Sequence, residues 1–384
     1  MSSDQTFVIV GASLAGASAA EELRKQGFDG RIVLIGSEEH PPYIRPPLSK
    51  DYLAGKAGLD DVYVHPSDWY KDNSIELLVS TTVDSIDRAA HTVTLSNAEV
   101  LHYDKLLLTT GSRPRVPDID GADLPGVYYL RTLDDSSALA EVLSRGKQQV
   151  VLVGSGWIGM EVAATARTLG NEVRVLEHAS IPLSAALGDE LGEYFARLHE
   201  EHGVILSTGV TVEEILSKDG GIGGVRVGGT NVIGADIVLL AVGAQPNVEL
   251  AEAAGLEVDN GILVDASLTS SDPDIFAAGD VANAMHPVIG QRLRSEHWAN
   301  AQNQGPAAAR SMLGQEVSFD DIPYFYTDQY DLGMEYSGYA SLAKGATVVY
   351  RGEKDSGEFI AFWVSDGRVV AGMNVNVWDV NEDI

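Results

Sequence analysis

The chain has 384 residues, of which 45% are hydrophobic, and its 56 acidic and 26 basic side chains give a formal net charge of −30. This length exceeds one typical core, so two or three domains are expected. The acidic excess argues against nucleic-acid binding, which needs a basic face. No apolar run approaches the ~20 residues that span a bilayer, and the polar start leaves no room for a secretory signal. A cytoplasmic enzyme is therefore expected.

Cysteine is absent from the sequence. Disulfide exchange, a catalytic cysteine and an iron–sulfur cluster bound by this chain would all require thiolates. The composition therefore excludes electron transfer by these routes, including disulfide, thioredoxin and peroxide reduction by the usual cysteine chemistry.

The first predicted elements are a strand and a helix joined by a glycine turn. Four apolar residues at 7–10 suit a buried parallel strand, and GASLAG at 11–16 leads into an Ala-rich helix. A second predicted strand, at 31–35, ends at acidic residues. Helix N-termini hold pyrophosphate through unpaired amides and the helix dipole, and a carboxylate after the second strand accepts a hydrogen bond from a ribose hydroxyl.

This order of elements predicts a dinucleotide-binding fold, with Ser13 where the middle glycine usually lies. A glycine turn required only for packing would give the same short pattern. The candidate binding residues come from the turn and from the end of the second strand, namely Gly11, Ser13, Ala15, Gly16, Ser37 and Glu38.

A proline-rich segment at 40–50, HPPYIRPPLSK, predicts a stiff loop leading into a helix, although a plain linker would look the same. Its RPPLSK string, after the glycine turn, resembles the NADH-dependent ferredoxin reductases of bacterial oxygenase and cytochrome P450 systems. The resemblance covers essentially the whole chain. It implies a glutathione-reductase-like architecture, FAD and NADH as cofactors, and a [2Fe-2S] ferredoxin as electron acceptor. In that family Arg45 would help to hold FAD, and Lys50 would lie near the reactive flavin edge, where a cation stabilises the reduced flavin.

The segment after this loop contains a second motif of the same family. By resemblance, Val83 contacts the adenine end of FAD. A strand predicted at 103–108 runs into TTGSRP at 109–114, which resembles the second flavin motif and contributes Thr110 and Gly111. An ordinary strand end is the alternative interpretation.

The segment YLRTLDD at 129–135 precedes the second glycine turn. Arg131 matches a family arginine that contacts the flavin cofactor, with a surface arginine as the alternative. Asp134 or Asp135 is expected to cap the following helix.

The dinucleotide pattern occurs again over 150–177. A strand at 150–153 precedes GSGWIG at 154–159, an Ala-rich helix, a strand at 172–176 and Glu177. Duplication of the whole pattern by chance would be rare, so each copy supports the other. The candidate residues for NADH in this turn are Gly154, Gly156, Ile158 and Gly159.

Two acidic residues of this second fold bear on its chemistry. A carboxylate at Glu177 would bind the ribose 2′-hydroxyl and repel a 2′-phosphate, so NADH is expected to be preferred over NADPH. Glu161 is expected in the first turn of the helix, where a surface acid would match the helix dipole. The resemblance instead places Glu161 by the nicotinamide, near Lys50, and we favour this interpretation.

The chain is expected to return to the flavin domain after a strand at 236–242. That strand ends in GAQPN at 243–247, a weaker echo of TTGSRP that includes Gly243. A later apolar strand ends at Gly279 and Asp280, which puts a carboxylate at the carboxyl end of the sheet. The resemblance implies that this aspartate binds the ribityl chain of FAD.

A helix is expected to open near SEHWANAQ at 295–302. Trp298 matches a residue beside the flavin ring in the family, with a core tryptophan as the alternative. Hydride transfer to a flavin needs no acid–base residue, so His297 is interpreted as structural or partner-facing.

The fold class expected is α/β, with two Rossmann-like dinucleotide-binding domains and a small C-terminal α+β domain. We expect the FAD-binding domain at 1–114 and 245–321, the NAD-binding domain at 115–244 and the C-terminal domain at 322–384. In the last domain, Tyr326 and Thr327 stand where the family often has tryptophan and serine, which leaves any aromatic electron-exit residue unassigned. The chain stops at what looks like a helix start and looks shorter than its relatives.

The sequence predicts an FAD-dependent NADH:ferredoxin oxidoreductase. Hydride would pass from the nicotinamide to the flavin, and single electrons would pass to the ferredoxin that supplies an oxygenase or cytochrome P450. Lys50 and Glu161 are the catalytic candidates, and neither a metal site nor a nucleic-acid or membrane partner is expected. The alternatives are an NADH-responsive binding switch of the apoptosis-inducing-factor type and an NADH oxidase, whose water-forming kind the lack of cysteine disfavours.

Overall fold

The computed structural model describes residues 4–384. Its α-helices, numbered along the chain, are α1 (Leu14–Lys25), α2 (Leu59–Val62), α3 (Ser67–Asp72), α4 (Leu133–Leu143), α5 (Trp157–Thr168), α6 (Ser184–Leu187), α7 (Asp189–Glu201), α8 (Glu249–Ala253), α9 (Trp298–Met312) and α10 (Ala340–Ala343). Short 3-10 helices cover Pro46–Ser49, Gly279–Val281 and Lys354–Ser356. Among the described helices, none is both long and apolar enough to cross a lipid bilayer.

The strands are numbered in the same way. They are β1 (Thr6–Val10), β2 (Arg31–Ile35), β3 (Ile75–Leu78), β4 (Val83–Asp87), β5 (Thr92–Leu95), β6 (Val100–His102), β7 (Lys105–Leu108), β8 (Ser112–Pro114), β9 (Val127–Tyr128), β10 (Gln149–Val153), β11 (Glu172–Leu176), β12 (Ile205–Ser207), β13 (Val212–Lys218), β14 (Gly221–Val227), β15 (Asn231–Ile233), β16 (Ile237–Leu240), β17 (Ala244–Pro246), β18 (Ile262–Val264), β19 (Ile275–Ala277), β20 (Ala282–His286), β21 (Gln291–Leu293), β22 (Tyr324–Gln329), β23 (Leu332–Gly338), β24 (Thr347–Glu353), β25 (Glu358–Ser365) and β26 (Arg368–Val375).

The chain packs into two units, each assembled from separate segments. The first unit runs to Ile44 and adds Leu59–Arg113 and Gln245–Pro323. The second unit consists of Arg45–Gly58, Pro114–Ala244 and Tyr324–Ile384. The expected division into flavin, NAD and C-terminal domains depends on which segments bind FAD and NADH. Packing alone does not test this, so the division stays a prediction.

The first unit is built on a parallel sheet with the strand order β19-β7-β1-β2-β3. Val8 of β1 lies opposite Val33 of β2 and Leu106 of β7, and all three side chains are fully buried. Because both faces of such a sheet are covered, its strands are continuous apolar runs. Helix α1 packs against α9, where a Cβ added to Gly305 would lie 2.4 Å from the carbonyl oxygen of Ala15. A glycine at this contact therefore lets the two helix backbones approach closely.

The second unit contains a parallel sheet with the order β12-β11-β10-β16-β9 and an antiparallel sheet with the order β22-β23-β26-β25-β24. In the parallel sheet, Val150 of β10 lies opposite Val173 of β11 and Ile237 of β16. Phe195 of α7 and Met373 of β26 belong to one buried cluster at the antiparallel sheet. This antiparallel sheet lies in the segment expected to form the small C-terminal α+β domain.

Two local expectations are wrong. Thr132, not Asp134 or Asp135, is the N-cap of α4: its hydroxyl accepts a hydrogen bond from the Asp135 amide at 3.1 Å, and the Asp135 carboxylate accepts from the Thr132 amide at 2.8 Å. This reciprocal pair is a capping box, in which the acid lies three residues into the helix. Glu161 lies beyond the first turn of α5, with its side chain only 5% exposed, so it is no surface acid. Residues 381–383 form a turn in which the Ile384 amide donates to the carbonyl oxygen of Val380 at 3.1 Å, so the expected helix start stays a prediction.

Candidate functional site

The first glycine turn lies where β1 ends and α1 begins. Gly11 adopts φ +123°, and a Cβ added there would lie 2.1 Å from the carbonyl oxygen of Thr109. A Cβ at Gly16 would lie 2.2 Å from the carbonyl oxygen of Gly11. Both glycines are therefore required by the packing of the turn, which places Ser13 as the N-cap of α1.

A cavity of about 430 Å³ opens beside this turn. Its volume lies in the range of small-molecule sites. The walls include the carboxyl ends of β1 and β2, and they bring together the predicted Gly11, Ser37, Val83 and Thr110. Asn247, which the sequence analysis did not select, lines the same cavity. A cavity at the carboxyl ends of parallel strands suits one half of a dinucleotide such as FAD.

Asn247 fixes the wall of this cavity through reciprocal hydrogen bonds. The Thr110 hydroxyl donates to the carbonyl oxygen of Asn247 at 2.8 Å, and the Asn247 side-chain amide donates to the carbonyl oxygen of Thr110 at 2.8 Å. The Asn247 backbone amide also donates to the carbonyl oxygen of Gly111 at 3.0 Å. The GAQPN motif ends at this residue, so its echo of TTGSRP was a signal that could have selected it.

Each strand–glycine turn–helix unit, together with the end of its second strand, is called a cradle below. Two further residues predicted in the first cradle are Glu38 and Ala15. Glu38 accepts a hydrogen bond from the hydroxyl of Tyr43 at 2.5 Å. Ala15 is buried in α1, and a Cβ added to Gly279 would lie 3.1 Å from the Ala15 Cβ. The structure thus brings Ala15 and Gly279 together through close packing.

Asp280 follows β19 and is buried. Its carboxylate accepts a hydrogen bond from the Ser112 hydroxyl at 3.0 Å. Burial lowers the pKa of His297 to about 4, although the charge of Asp280 opposes this shift. His297 is the N-cap of α9, and Trp298 is its first residue. The neutral, half-buried histidine is consistent with the structural interpretation, and the buried Asp280 carboxylate could accept hydrogen bonds from a hydroxyl-bearing cofactor chain.

The second glycine turn, between β10 and α5, has one open position. A Cβ at Gly154 would lie 2.3 Å from the carbonyl oxygen of Ala241, and a Cβ at Gly159 would lie 2.2 Å from that of Gly154. A Cβ at Gly156 would meet no atom of the described residues within 4 Å. The backbone at Gly156 is therefore open to a ligand, as binding of a pyrophosphate requires. Ile158, in the first turn of α5, is 44% exposed.

Glu177 follows β11 and its carboxylate is held on both oxygens. One oxygen accepts from the Ser155 amide at 2.7 Å and from the Ser155 hydroxyl at 2.6 Å, and the other accepts from the Ala179 amide at 2.8 Å. Burial raises the pKa of Glu177, but these hydrogen bonds outweigh burial, and the pKa lies below its ordinary value. The second cradle therefore presents a fixed negative charge beside its glycine turn.

Lys50 and Glu161 form an ion pair in the second unit. The Nζ atom of Lys50 lies 2.9 Å from Oε2 of Glu161, and the two side chains are 13% and 5% exposed. Lys50 also donates to the carbonyl oxygen of Pro46 at 3.0 Å. The structure thus joins the two catalytic candidates, while their roles toward the cofactors stay predictions.

Two hydroxyl groups complete the surroundings of Glu161. The Ser49 hydroxyl donates to Oε2 at 2.5 Å, and the Thr327 hydroxyl donates to Oε1 at 2.7 Å. Lys50 lies 5.7 Å from the ring centroid of Tyr326, within the range of a cation–π contact. From the sequence, Tyr326 and Thr327 were noted only as departures from the tryptophan and serine of the family, and neither was predicted to lie at this site.

The two arginines predicted to contact the flavin cofactor also lie together. The Nε atom of Arg45 donates to the carbonyl oxygen of Arg131 at 3.2 Å. Gly243, the first residue of GAQPN, lies between β16 and β17 and adopts φ +100°, and its added Cβ would meet no described atom within 4 Å. The backbone at Gly243 is therefore open on the side where a Cβ would point.

Comparison with known proteins identifies the family. The model of the pyridine nucleotide-disulphide oxidoreductases matches residues 5–305, and that of the reductase C-terminal domain matches 324–379. The chain belongs to the pyridine nucleotide-disulphide oxidoreductase family. This membership confirms the predicted α/β fold class, and FAD and NADH as cofactors.

Relatives of this oxidoreductase carry more specific names. It is 42% identical to the ferredoxin–NAD(+) reductase component of the anthranilate 1,2-dioxygenase system of Burkholderia cepacia, over 98% of this chain and 92% of the relative. The solved ferredoxin reductase for the CYP199A2 system of Rhodopseudomonas palustris is 38% identical, with a TM-score of 0.93, over 97% of this chain and 91% of that one. The covalent putidaredoxin reductase–putidaredoxin complex contains a chain that is 34% identical, with a TM-score of 0.93, over 97% and 90%. The predicted resemblance is confirmed.

Proposed function

We propose that this protein is a cytoplasmic, FAD-dependent NADH:ferredoxin reductase that supplies electrons to an oxygenase or cytochrome P450 through a [2Fe-2S] ferredoxin. The observation that carries the proposal is the combination of two dinucleotide cradles with a sequence that contains no cysteine. Electrons that enter as hydride cannot leave through a disulfide of this chain. The relatives, among them a reductase solved in complex with putidaredoxin, support a protein acceptor.

The residues of the first unit would bind FAD. Backbone groups at Gly11 and Thr110 line the cavity, and Asp280 offers a buried carboxylate to a hydroxyl-bearing chain. FAD, when bound, accepts hydride from NADH and passes electrons on one at a time. The overall reaction balances as NADH plus two oxidised ferredoxins giving NAD⁺, one proton and two reduced ferredoxins.

The residues of the second unit would bind and orient NADH. The open backbone at Gly156 would accept the pyrophosphate, and Glu177 would bind the ribose hydroxyls. Because hydrogen bonds keep Glu177 ionised, it would repel the 2′-phosphate of NADPH. Lys50 and Glu161 provide a fixed pair of opposite charges, which would orient the nicotinamide and stabilise negative charge on the reduced cofactor.

Anaerobic stopped-flow mixing tests the proposal in two steps. The purified holoenzyme is first mixed with NADH, and an oxidised [2Fe-2S] ferredoxin is then added while the visible flavin absorbance is followed. We expect rapid bleaching by NADH and rapid recovery with ferredoxin. A long-lived charge-transfer complex that no ferredoxin discharges would instead support a binding switch. In a parallel aerobic assay, NADH-dependent oxygen consumption that is equally fast with and without ferredoxin would support an oxidase.

A further inference from the structure

A chain of hydrogen-bonded side chains leads from Glu161 through β22 to His199 of α7. The Thr327 hydroxyl donates to Glu161 at 2.7 Å, and the Gln329 side-chain amide donates to Thr327 Oγ1 at 3.2 Å. Oε1 of Gln329 lies 2.7 Å from Nε2 of His199, and the hydroxyl of Tyr330 lies 3.4 Å from Nδ1 of the same ring. Thr327, Gln329 and His199 have no exposed surface. Three elements, α5, β22 and α7, therefore contribute to one buried polar network.

The donor and acceptor groups of these side chains permit only one direction of hydrogen-bond donation along the network. An ionised Glu161 can only accept, so the Thr327 hydroxyl donates to it. The Gln329 nitrogen can only donate, so it donates to Thr327 and leaves the Gln329 oxygen to accept from Nε2 of His199. His199 is then the neutral tautomer with hydrogen on Nε2, and its Nδ1 accepts from Tyr330. Burial lowers the pKa of His199 to about 4, which agrees with a neutral ring.

Such a chain orients groups and does not conduct protons. Relay through Gln329 would require its amide to pass through an imidic acid, which is a high-energy tautomer. The donors instead all point toward Glu161, and aligned hydrogen bonds polarise one another in a low-dielectric interior. The consequence is a Thr327 hydroxyl whose proton has one favoured direction.

We propose that Gln329 and His199 are positioning residues that aim the Thr327 hydroxyl at Glu161 and so hold this carboxylate in place beside Lys50 for hydride transfer from NADH. The inference rests on the proposed function, because it takes Glu161 to serve the nicotinamide. It concerns the hydride step alone, which can be measured without ferredoxin. A protein that accepts hydride but reduces no ferredoxin would overturn the proposed electron acceptor and leave this inference testable.

The first test compares Gln329→Met with Asn171→Leu in the holoenzyme. Methionine has a similar size and removes both hydrogen bonds of the amide. Asn171 is a buried amide of the same unit that donates to the carbonyl oxygens of Leu143 and Ala166 and lies outside the network. We expect Gln329→Met to slow anaerobic flavin reduction by NADH about fivefold, since Gln329 donates to the neutral Thr327 hydroxyl and one neutral hydrogen bond has about this value. The control should lower Tm and leave that rate unchanged.

A double-mutant cycle tests whether Gln329 acts through Thr327. If it does, Gln329→Met should have no further effect on the reduction rate in a Thr327→Val background. Effects that multiply in full would overturn the proposal, as would a control that loses as much rate as Gln329→Met. His199→Gln, which keeps a donor near Nε2, should retain the rate within about twofold, whereas His199→Leu should match the loss in Gln329→Met.

A readout independent of turnover is the tautomer of His199. Nitrogen-15 NMR of histidine-labelled protein distinguishes a ring with hydrogen on Nε2 from one with hydrogen on Nδ1. The network requires the Nε2 tautomer in the unaltered protein at neutral pH and a shifted Nε2 resonance in Gln329→Met. A charged ring or the Nδ1 tautomer would contradict the direction assigned to the chain.

Discussion

The two dinucleotide cradles have the same order of backbone elements, but their helices bury different side chains. The buried face of α1 consists of small and aliphatic residues with a single hydroxyl, Ser18. The buried face of α5 includes Glu161 and Thr165 among its apolar residues, and the Thr165 hydroxyl donates to the carbonyl oxygen of Ser49 at 2.8 Å. Helix α1 therefore buries almost only apolar side chains, whereas α5 also buries an acid and a hydroxyl group that have polar partners.

This difference shows that a shared glycine turn does not decide the role of the helix behind it. Buried polar groups are retained only when they find partners. In the second unit those partners come from the proline-rich loop and from β22, both distant in sequence from α5. The glycine-turn motif determines the backbone conformation of the cradle. Segments distant in sequence determine whether polar groups on the helix find partners.

The largest effect is expected at the glycines that both turns need. Gly11→Ala and Gly154→Ala combine a positive φ with a Cβ that lies within 2.3 Å of a carbonyl oxygen, so each should cost about 4 kcal/mol of unfolding free energy or prevent folding. Gly156→Ala has an ordinary φ and an open side, so its stability should change by less than about 1 kcal/mol while NADH binding weakens. Urea unfolding and NADH titration check both. Equal destabilisation by Gly154→Ala and Gly156→Ala would contradict an open second cradle.

Removing the charge of Glu161 on α5 should lower the unfolding free energy more than removing the charge of Glu22 on α1. Glu161→Gln leaves the largely buried Lys50 without its carboxylate and should lower the unfolding free energy by about 3 kcal/mol. The matched change Glu22→Gln breaks the partly exposed pair of Glu22 with Arg310, 3.0 Å apart, and should cost at most about 1 kcal/mol. Chemical denaturation of both variants measures the contrast, which similar costs would abolish.

Acid should weaken the second unit through His199. Burial lowers its pKa from 6.5 to about 4, so between these values the unfolded chain binds a proton that the folded chain does not. The stabilising contribution is fully present above pH 6.5 and is lost as the pH falls toward 4, by about 3 kcal/mol in total. His199→Gln should therefore show a flatter dependence of unfolding free energy on pH in this window. Parallel pH profiles for the two proteins would refute the burial effect.

The smallest effect is expected on the preference for NADH over NADPH. Glu177→Gln keeps the shape of the side chain but removes the charge that repels a 2′-phosphate, so the preference for NADH over NADPH should fall about tenfold. Glu38→Gln, which changes the acid predicted after β2 in the first unit, should leave this preference unchanged. The ratio of kcat/KM for the two nucleotides measures both, and an altered ratio in Glu38→Gln would mean that the cradles do not divide the cofactors as proposed.

The sequence predicts local elements well where one short segment decides them. The strands expected at 31–35 and 172–176 have those bounds, because apolar runs between glycine turns and acids leave little choice. The cap of α4 was mispredicted within a few residues, since Thr132 and two aspartates all suit such a position. Short-range patterns give the existence of an element more reliably than the residue that begins it.

The site was less predictable, because tertiary contacts build it. Lys50 and Glu161 were paired from resemblance, and no spacing rule joins residues so far apart in sequence. Thr327, Gln329 and His199 carry no motif: each would suit an exposed strand or helix. Only the packing of α7 and β22 against α5 shows that their polar atoms meet in one buried network.

The strand order of the first sheet has a consequence for synthesis on the ribosome. The edge strand β19 pairs with β7, yet every strand of the second unit's parallel sheet is made between them. At roughly 5–20 residues per second, the apolar edge of β7 stays open for on the order of ten seconds after it emerges. The later sheet can close first, while the earlier one waits with an edge open to unwanted pairing. A chain whose translation stalls before β19 is made would therefore be prone to aggregate, even though much of it had already folded.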